Sequence, residues 1–238
     1  MTFDAQTTLA DIVTARPELA PVLGGLGLDF CCGGAQTVAE AAAGVAMPVD
    51  ELLEALTAVE PAPSPDWSSL GPVELIDHLE ATHHRFLRER LPYLSGAAAK
   101  VVEVHGANHP ELASVAATFE ELRTDLEPHL LNEEQVLFPM VRDLYASEGS
   151  QEFHGDTVQA PIAVMSAEHD RAGELLGRLR ELTDDYTPPA DGCATYQALY
   201  AGLAELEADT HLHVHKENNL LFPAVVAEEA SRMAWRSA

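Results

Sequence analysis

The pattern His129-Leu-Leu-Asn-Glu133, followed by Leu137-Phe138-Pro139, recurs as His213-Val-His-Lys-Glu217, followed by Leu221-Phe222-Pro223. A helix stacks residues four apart on one face. Each copy therefore offers an imidazole and a carboxylate to one point, a pairing that suits a transition metal held by nitrogen and oxygen. Both copies lie on long apolar stripes. The polar pairs must face inward among helices, which leaves few folds open to the chain.

The stripes follow steps of three and four residues. The first long helix is expected from Gly71-Pro72 and carries Val73, Ile76, Glu80, His84, Leu87 and Leu91. Pro92 and Gly96 disturb it, and a further helical piece ends at His105-Gly106. The second starts near Pro110 and carries Phe119, Leu122, Leu126, His129, Glu133, Val136 and Met140. The third opens at Pro161 with Ile162, Met165, His169, Ala172, Leu176 and Leu179. The fourth carries Leu199, Leu203, Leu206, Thr210, His213, Glu217, Leu220 and Ala224. Loops are expected at 147–160 and 184–192. Pro128, Pro139 and Pro223 should kink their helices. His129 follows His84 by 45 residues and His213 follows His169 by 44, so one helical-hairpin plan is used twice. With no strand signal, the expected fold is all-α, an up-and-down four-helix bundle over 70–238.

Residues 1–60 read as a separate small helical domain. Thr7 or Thr8 can cap a first helix, and Pro17 can open a second that ends at Gly24, Gly25 and Gly27. Thr37-Val-Ala-Glu40 has capping-box spacing, and Pro48 opens a last helix. Between the domains, 61–69 is a linker in which Pro61-Ala-Pro-Ser-Pro65 favours an extended spacer.

The formal net charge is −26, which repels phosphate and argues against nucleic acid and anionic lipid as partners. No apolar run is long enough to span a membrane, and the N-terminus lacks the features of a secretory signal. The 3 cysteines, two of them adjacent, are no disulfide framework. A reducing cytoplasm is the expected location.

The metal-ligand candidates are His84, His105, His129, Glu133, His169, His213 and Glu217. Five imidazoles and two carboxylates exceed the four ligands of a tetrahedral zinc. They fit two metals bridged by both carboxylates and by an oxo or hydroxo group. One metal would then take six ligands and the other five, with an open position. Iron suits this donor set, and manganese is an alternative. His105 lies off the repeat and enters because it completes the count. His83, His211 and His215 are expected to be solvated, His109 and His154 to sit in loops, and His78 to lie off the seam. Asp125 and Glu168 read as ordinary surface charges, with an acidic path for ferrous iron or orientation of a ligand as the alternatives.

Cys31 and Cys32 occupy a glycine-flanked turn, Leu28-Asp-Phe-Cys-Cys-Gly-Gly34. The pair could bind iron, pass electrons, meet a partner, or simply be buried as two small apolar residues. Cys193 reads as structural.

Asp29-Phe-Cys-Cys-Gly-Gly34, the small N-terminal domain, the proline linker and the two His-x-x-x-Glu helices together resemble the RIC proteins, repair of iron centres, whose C-terminal domain is hemerythrin-like. The resemblance covers almost the whole chain. It implies that the seven candidates hold a di-iron centre. It also implies a role in restoring iron–sulfur clusters damaged by nitrosative or oxidative stress, by supplying iron or handling nitric oxide. The implied partners are proteins with damaged clusters and nitric oxide or O2 as small ligand, with a homodimer left open. Cys31 and Cys32 would be redox or iron-transfer thiols. An iron-donating repair factor is expected rather than a classical enzyme. The alternatives are an O2- or NO-binding carrier or sensor, and a di-iron nitric oxide reductase.

Overall fold

The computed structural model describes residues 3–61, 67–146 and 157–236. Within them the protein is all-α, and a single isolated β-bridge, Thr8 to Thr37, is the only extended pairing. The chain divides into two compact units: residues 77–210, and residues 1–76 together with 211–238. Residues 62–66 of the expected linker, and residues 147–156 of the expected loop with His154, lie outside the described residues.

The smaller helices come first: α1 (Leu9–Ala15), a 3-10 turn at Pro17–Leu19, α2 (Ala20–Gly25), α3 (Val38–Gly44) and α4 (Val49–Ala58). Local chemistry sets their starts as expected. Thr8 caps α1 by accepting the Asp11 N–H. Thr37 and Glu40 form a complete capping box on α3. Pro48 precedes α4. Backbone bonds from Leu9 to Gln36 and from Val38 to Thr7 hold the two caps side by side. Leu9, Ile12, Leu19, Leu23, Phe30, Val38, Leu52 and Leu56 form the core of this unit, and Val214 packs into it from its 211–238 segment.

The long helices are α5 (Pro72–Leu79), α6 (Arg85–His105), α7 (Leu112–Asn132), α8 (Phe138–Ala146), α9 (Gln159–Leu182), α10 (Ala194–Lys216) and α11 (Phe222–Arg236). In the unit 77–210, α6, α7, α9 and the first part of α10 close a four-helix core around Leu94, Phe119, Leu122, Leu176, Leu203 and Leu206. Pro92 does not end its helix: α6 runs through it.

The expected kinks at Pro139 and Pro223 take the form of π-helical turns. These occupy Glu133–Leu137 and Glu217–Leu221, and a third lies at Glu80–His84. A proline lacks an N–H and crowds the carbonyl four residues back. Widening the preceding turn relieves this, and the N–H of Phe138 reaches Glu133 O while that of Phe222 reaches Glu217 O. Each π turn adds one residue, so the buried seam beyond it shifts by one. Leu137 and Val141 are buried instead of Val136 and Met140, and Leu221 and Val225 instead of Leu220 and Ala224. Val136 is 48% exposed. On α9, which has no π turn, the expected seam is buried from Met165 through His169, Ala172, Leu176 and Leu179, and Ile162 at its start is half-buried.

Candidate metal centre

Glu133 opens the second π turn and is fully buried. Its two oxygens face different imidazoles. Oε2 lies 3.4 Å from His84 Nε2, whereas Oε1 lies 3.2 Å from His129 Nε2 and 4.0 Å from His169 Nε2. The Nε2 atoms of His129 and His169 are 3.2 Å apart, with their rings edge to face. Ligands in neighbouring positions around an ion with bonds of about 2.1 Å stand about 3 Å apart, so the spacing fits a first-row metal. A carboxylate that divides its oxygens between two imidazole sets has the form of a bridging ligand. The ring of His84 stacks on Phe138, which adds apolar cover.

The tautomers are set by carboxylates behind the rings. His84 Nδ1–H donates to Glu134 Oε1 at 2.7 Å, and His129 Nδ1–H donates to Glu168 Oε2 at 2.8 Å. Each bond leaves the lone pair on Nε2, where a metal would take it. Glu134 is also paired with Arg88. Burial works to raise the Glu134 carboxyl, but His84 and Arg88 hold it below its ordinary value.

The unit formed by 1–76 and 211–238 holds the second pair, His213 and Glu217. Both are buried, with Nε2 and Oε1 3.2 Å apart, the same separation as His129 to Glu133. Glu217 opens its π turn just as Glu133 does. The next residues, Asn218 and Asn219, donate to the Cys31 carbonyl at 3.4 and 3.0 Å, and Asn218 lies 3.8 Å from Cys32 Sγ. The cysteine turn is thus docked against the turn that carries Glu217. Cys31 is buried, Cys32 half-buried.

His105 does not join Glu133. It ends α6, 20 residues after Arg85, or about 30 Å along the axis at about 1.5 Å per residue. There its Nε2 lies 3.2 Å from Cys193 Sγ and its ring meets Tyr196. Cys193 is exposed, and the backbone N–H of Tyr196, then His105, lower its thiol to about 7. It is therefore a polarised thiol and not a structural one. Two flanking histidines are buried rather than solvated. His83 pairs with Asp209 at 2.9 Å, and His215 bonds Thr14 Oγ1 at 3.1 Å and the Phe30 carbonyl at 3.3 Å. His211 sets its ring against Phe30. His109 lies beyond α6, between Glu111 and Asp191. Glu168 accepts from His129 at 2.8 Å rather than standing as a plain surface charge, whereas Asp125 reaches Arg171 at 3.8 Å. Glu134 carried no signal in the sequence beyond its place next to Glu133.

The fold and the donor set define a helical, hemerythrin-type cation-binding protein. Residues 75–225 match the hemerythrin HHE cation binding domain, and residues 5–60 match the ScdA_N domain, of unknown function. An iron–sulfur cluster repair protein YtfE of Enterobacter sp. (strain 638) is 37% identical over 93% of this chain and 97% of its own length. A probable iron–sulfur cluster repair protein of Haemophilus influenzae is 35% identical over 94% and 99%. The chain belongs to the same family, the YtfE-type proteins. No described helix is long and apolar enough to cross a membrane.

Proposed function

We propose that the protein repairs iron–sulfur clusters damaged by nitrosative or oxidative stress, and that His84, His129, Glu133, His169, His213 and Glu217 together hold two irons. The observation that carries this reading is the division of the Glu133 carboxylate between His84 on one oxygen and His129 and His169 on the other. His213 and Glu217 repeat the pair His129 and Glu133 in spacing, burial and π turn, which supports giving them the same task. Without His105, four imidazoles and two carboxylates would hold the irons, a donor set that still suits first-row metals.

Bound iron would supply one-electron chemistry and an ion that can be handed on. The chain's own residues set the conditions. Glu134 and Glu168 hold the Nδ1 protons of His84 and His129, so these rings meet iron as neutral ligands. Leu137 and Phe138, buried beside Glu133, exclude water. The docking of Cys31 and Cys32 on the Glu217 turn supports a role for these thiols in receiving iron or electrons on the way to a client. The relatives' names, iron–sulfur cluster repair proteins, support the client class.

A second reading, a carrier or reductase for nitric oxide or O2, is favoured by an apolar cleft between α7 and α9. Pro128, Ala163, Val164 and Ala167 line it, and it reaches His129 and His169. Mössbauer spectroscopy on protein purified without air, combined with reactivation of a nitrosylated cluster enzyme, tests both. A coupled diferric or diferrous signal with stoichiometric reactivation supports repair. A single mononuclear ion would overturn the site, and catalytic nitrous oxide formation without reactivation would favour the second reading.

A further inference from the structure

We propose that Asp29, Cys31 and Cys32 form a three-donor site for one thiophilic divalent ion, separate from the imidazole ligands. Cys31 Sγ and Cys32 Sγ stand 3.9 Å apart. An ion with bonds of about 2.3 Å to two sulfurs at the tetrahedral angle holds them about 3.8 Å apart, so the thiols already have the required bite. Asp29 Oδ1 lies 3.2 Å from Cys31 Sγ. The ligating atoms of all three residues fall within 4.8 Å of one another.

The site is built before any ion arrives. The Asp29 carboxylate is pinned by backbone N–H groups of Cys31 at 3.0 Å, Cys32 at 2.9 Å and Gly33 at 3.0 Å. A carboxylate has about four acceptor positions; the Cys31 thiol takes the fourth, which is freed for an ion when that proton leaves. The Cys31 carbonyl is held from behind by Asn218 and Asn219. Gly34 makes this docking fit: a Cβ there would stand 2.6 Å from Asn219 Oδ1 and 2.7 Å from the Phe30 carbonyl. Asp29 is exposed and Cys32 half-buried, which gives an ion a way in and leaves a fourth position open on the solvent side.

Two sulfurs and one oxygen select a borderline ion such as zinc or ferrous iron over magnesium or calcium. Binding exchanges two thiol protons, one of them now shared between Cys31 and Asp29, for the ion, and the protons pass to solvent. The geometry alone argues for the site. That the ion is ferrous iron in transit rests on the repair reading.

The test is anaerobic titration of the full chain with cobalt(II) under a non-thiol reductant. Its readout is thiolate-to-cobalt charge-transfer absorption, which imidazole and carboxylate ligands do not produce. The expected result is a band that saturates at one equivalent. It should vanish in the Cys31→Ser/Cys32→Ser double variant and persist in Cys193→Ser. In Asp29→Asn, which keeps an oxygen for the backbone N–H groups, affinity should fall at least about tenfold. Absence of the band in the wild-type protein, its survival in the double variant, or unchanged affinity in Asp29→Asn would overturn the proposal. A normal band with no reactivation of a damaged cluster enzyme would sink the repair reading and leave the site standing.

Discussion

His84 donates its Nδ1 proton to Glu134, a residue 50 positions away on another helix. That carboxylate is itself paired with Arg88, one helical turn beyond His84. The bond fixes the ring so that Nε2 points at Glu133. Glu134→Ala should therefore lower metal affinity by about 10- to 100-fold while leaving the helices formed. Metal retained after dialysis against a graded chelator measures this, and circular dichroism checks the fold. Affinity equal to wild type would show that the bond does not orient the ligand.

His105 and His129 should separate cleanly. His105→Ala is expected to keep the metal content of the wild-type protein, because its partners are Cys193 and Tyr196. His129→Ala should lose metal. Elemental analysis of the two purified variants decides the point, and metal loss in His105→Ala would restore it to the ligand set.

The same histidine should control a thiol. With its pKa at about 7, Cys193 should alkylate with a midpoint near neutral pH. In His105→Ala the midpoint should move up, part of the way to about 8.5, since the Tyr196 N–H remains. Peptide mapping of iodoacetamide adducts across pH distinguishes Cys193 from Cys31 and Cys32. A midpoint that does not move would remove His105 from the effect.

His215 is buried as the neutral imidazole, and burial lowers its pKa from 6.5 to about 4. The unfolded chain binds this proton more readily, so stability is complete above about pH 6.5 and is lost as pH falls towards 4. The two values correspond to at most about 3 kcal/mol. Urea unfolding of wild type and His215→Asn at each pH isolates the contribution, because other titrating groups are common to both. The difference between them should shrink as the pH is lowered, and a constant difference would contradict the assignment.

Gly34 and Gly44 make a matched pair. A Cβ at Gly34 would meet Asn219, Phe30 and Ala10, whereas one at Gly44 would meet nothing within 4 Å. Gly34→Ala should cost about 1–3 kcal/mol by overpacking. Gly44→Ala should be neutral or slightly stabilising. Denaturant midpoints with unchanged slopes provide the comparison, and equal stability would mean that the cysteine turn is not held against Asn219.

The long helices, the caps at Thr8 and Thr37, and the burial of His84, His129, Glu133, His169, His213 and Glu217 could be read from the chain alone, whereas the burial of His83 and His215 could not. The former depend on periods of three and four residues and on contacts across a single turn, such as Thr37 with Glu40. The cysteine turn was visible for the same reason. Where the period carried too far, the three-dimensional packing took over. The π turns before Pro139 and Pro223 moved the seam by one residue, from Val136 to Leu137 and from Leu220 to Leu221. The count of imidazoles placed His105 at the centre, but helix length carried it to Cys193. The partners that set tautomers, Glu134 for His84 and Glu168 for His129, are 50 and 39 residues away from their histidines. Which side chains of separate helices meet depends on how those helices pack and how far they run, and no local spacing in the chain records either quantity.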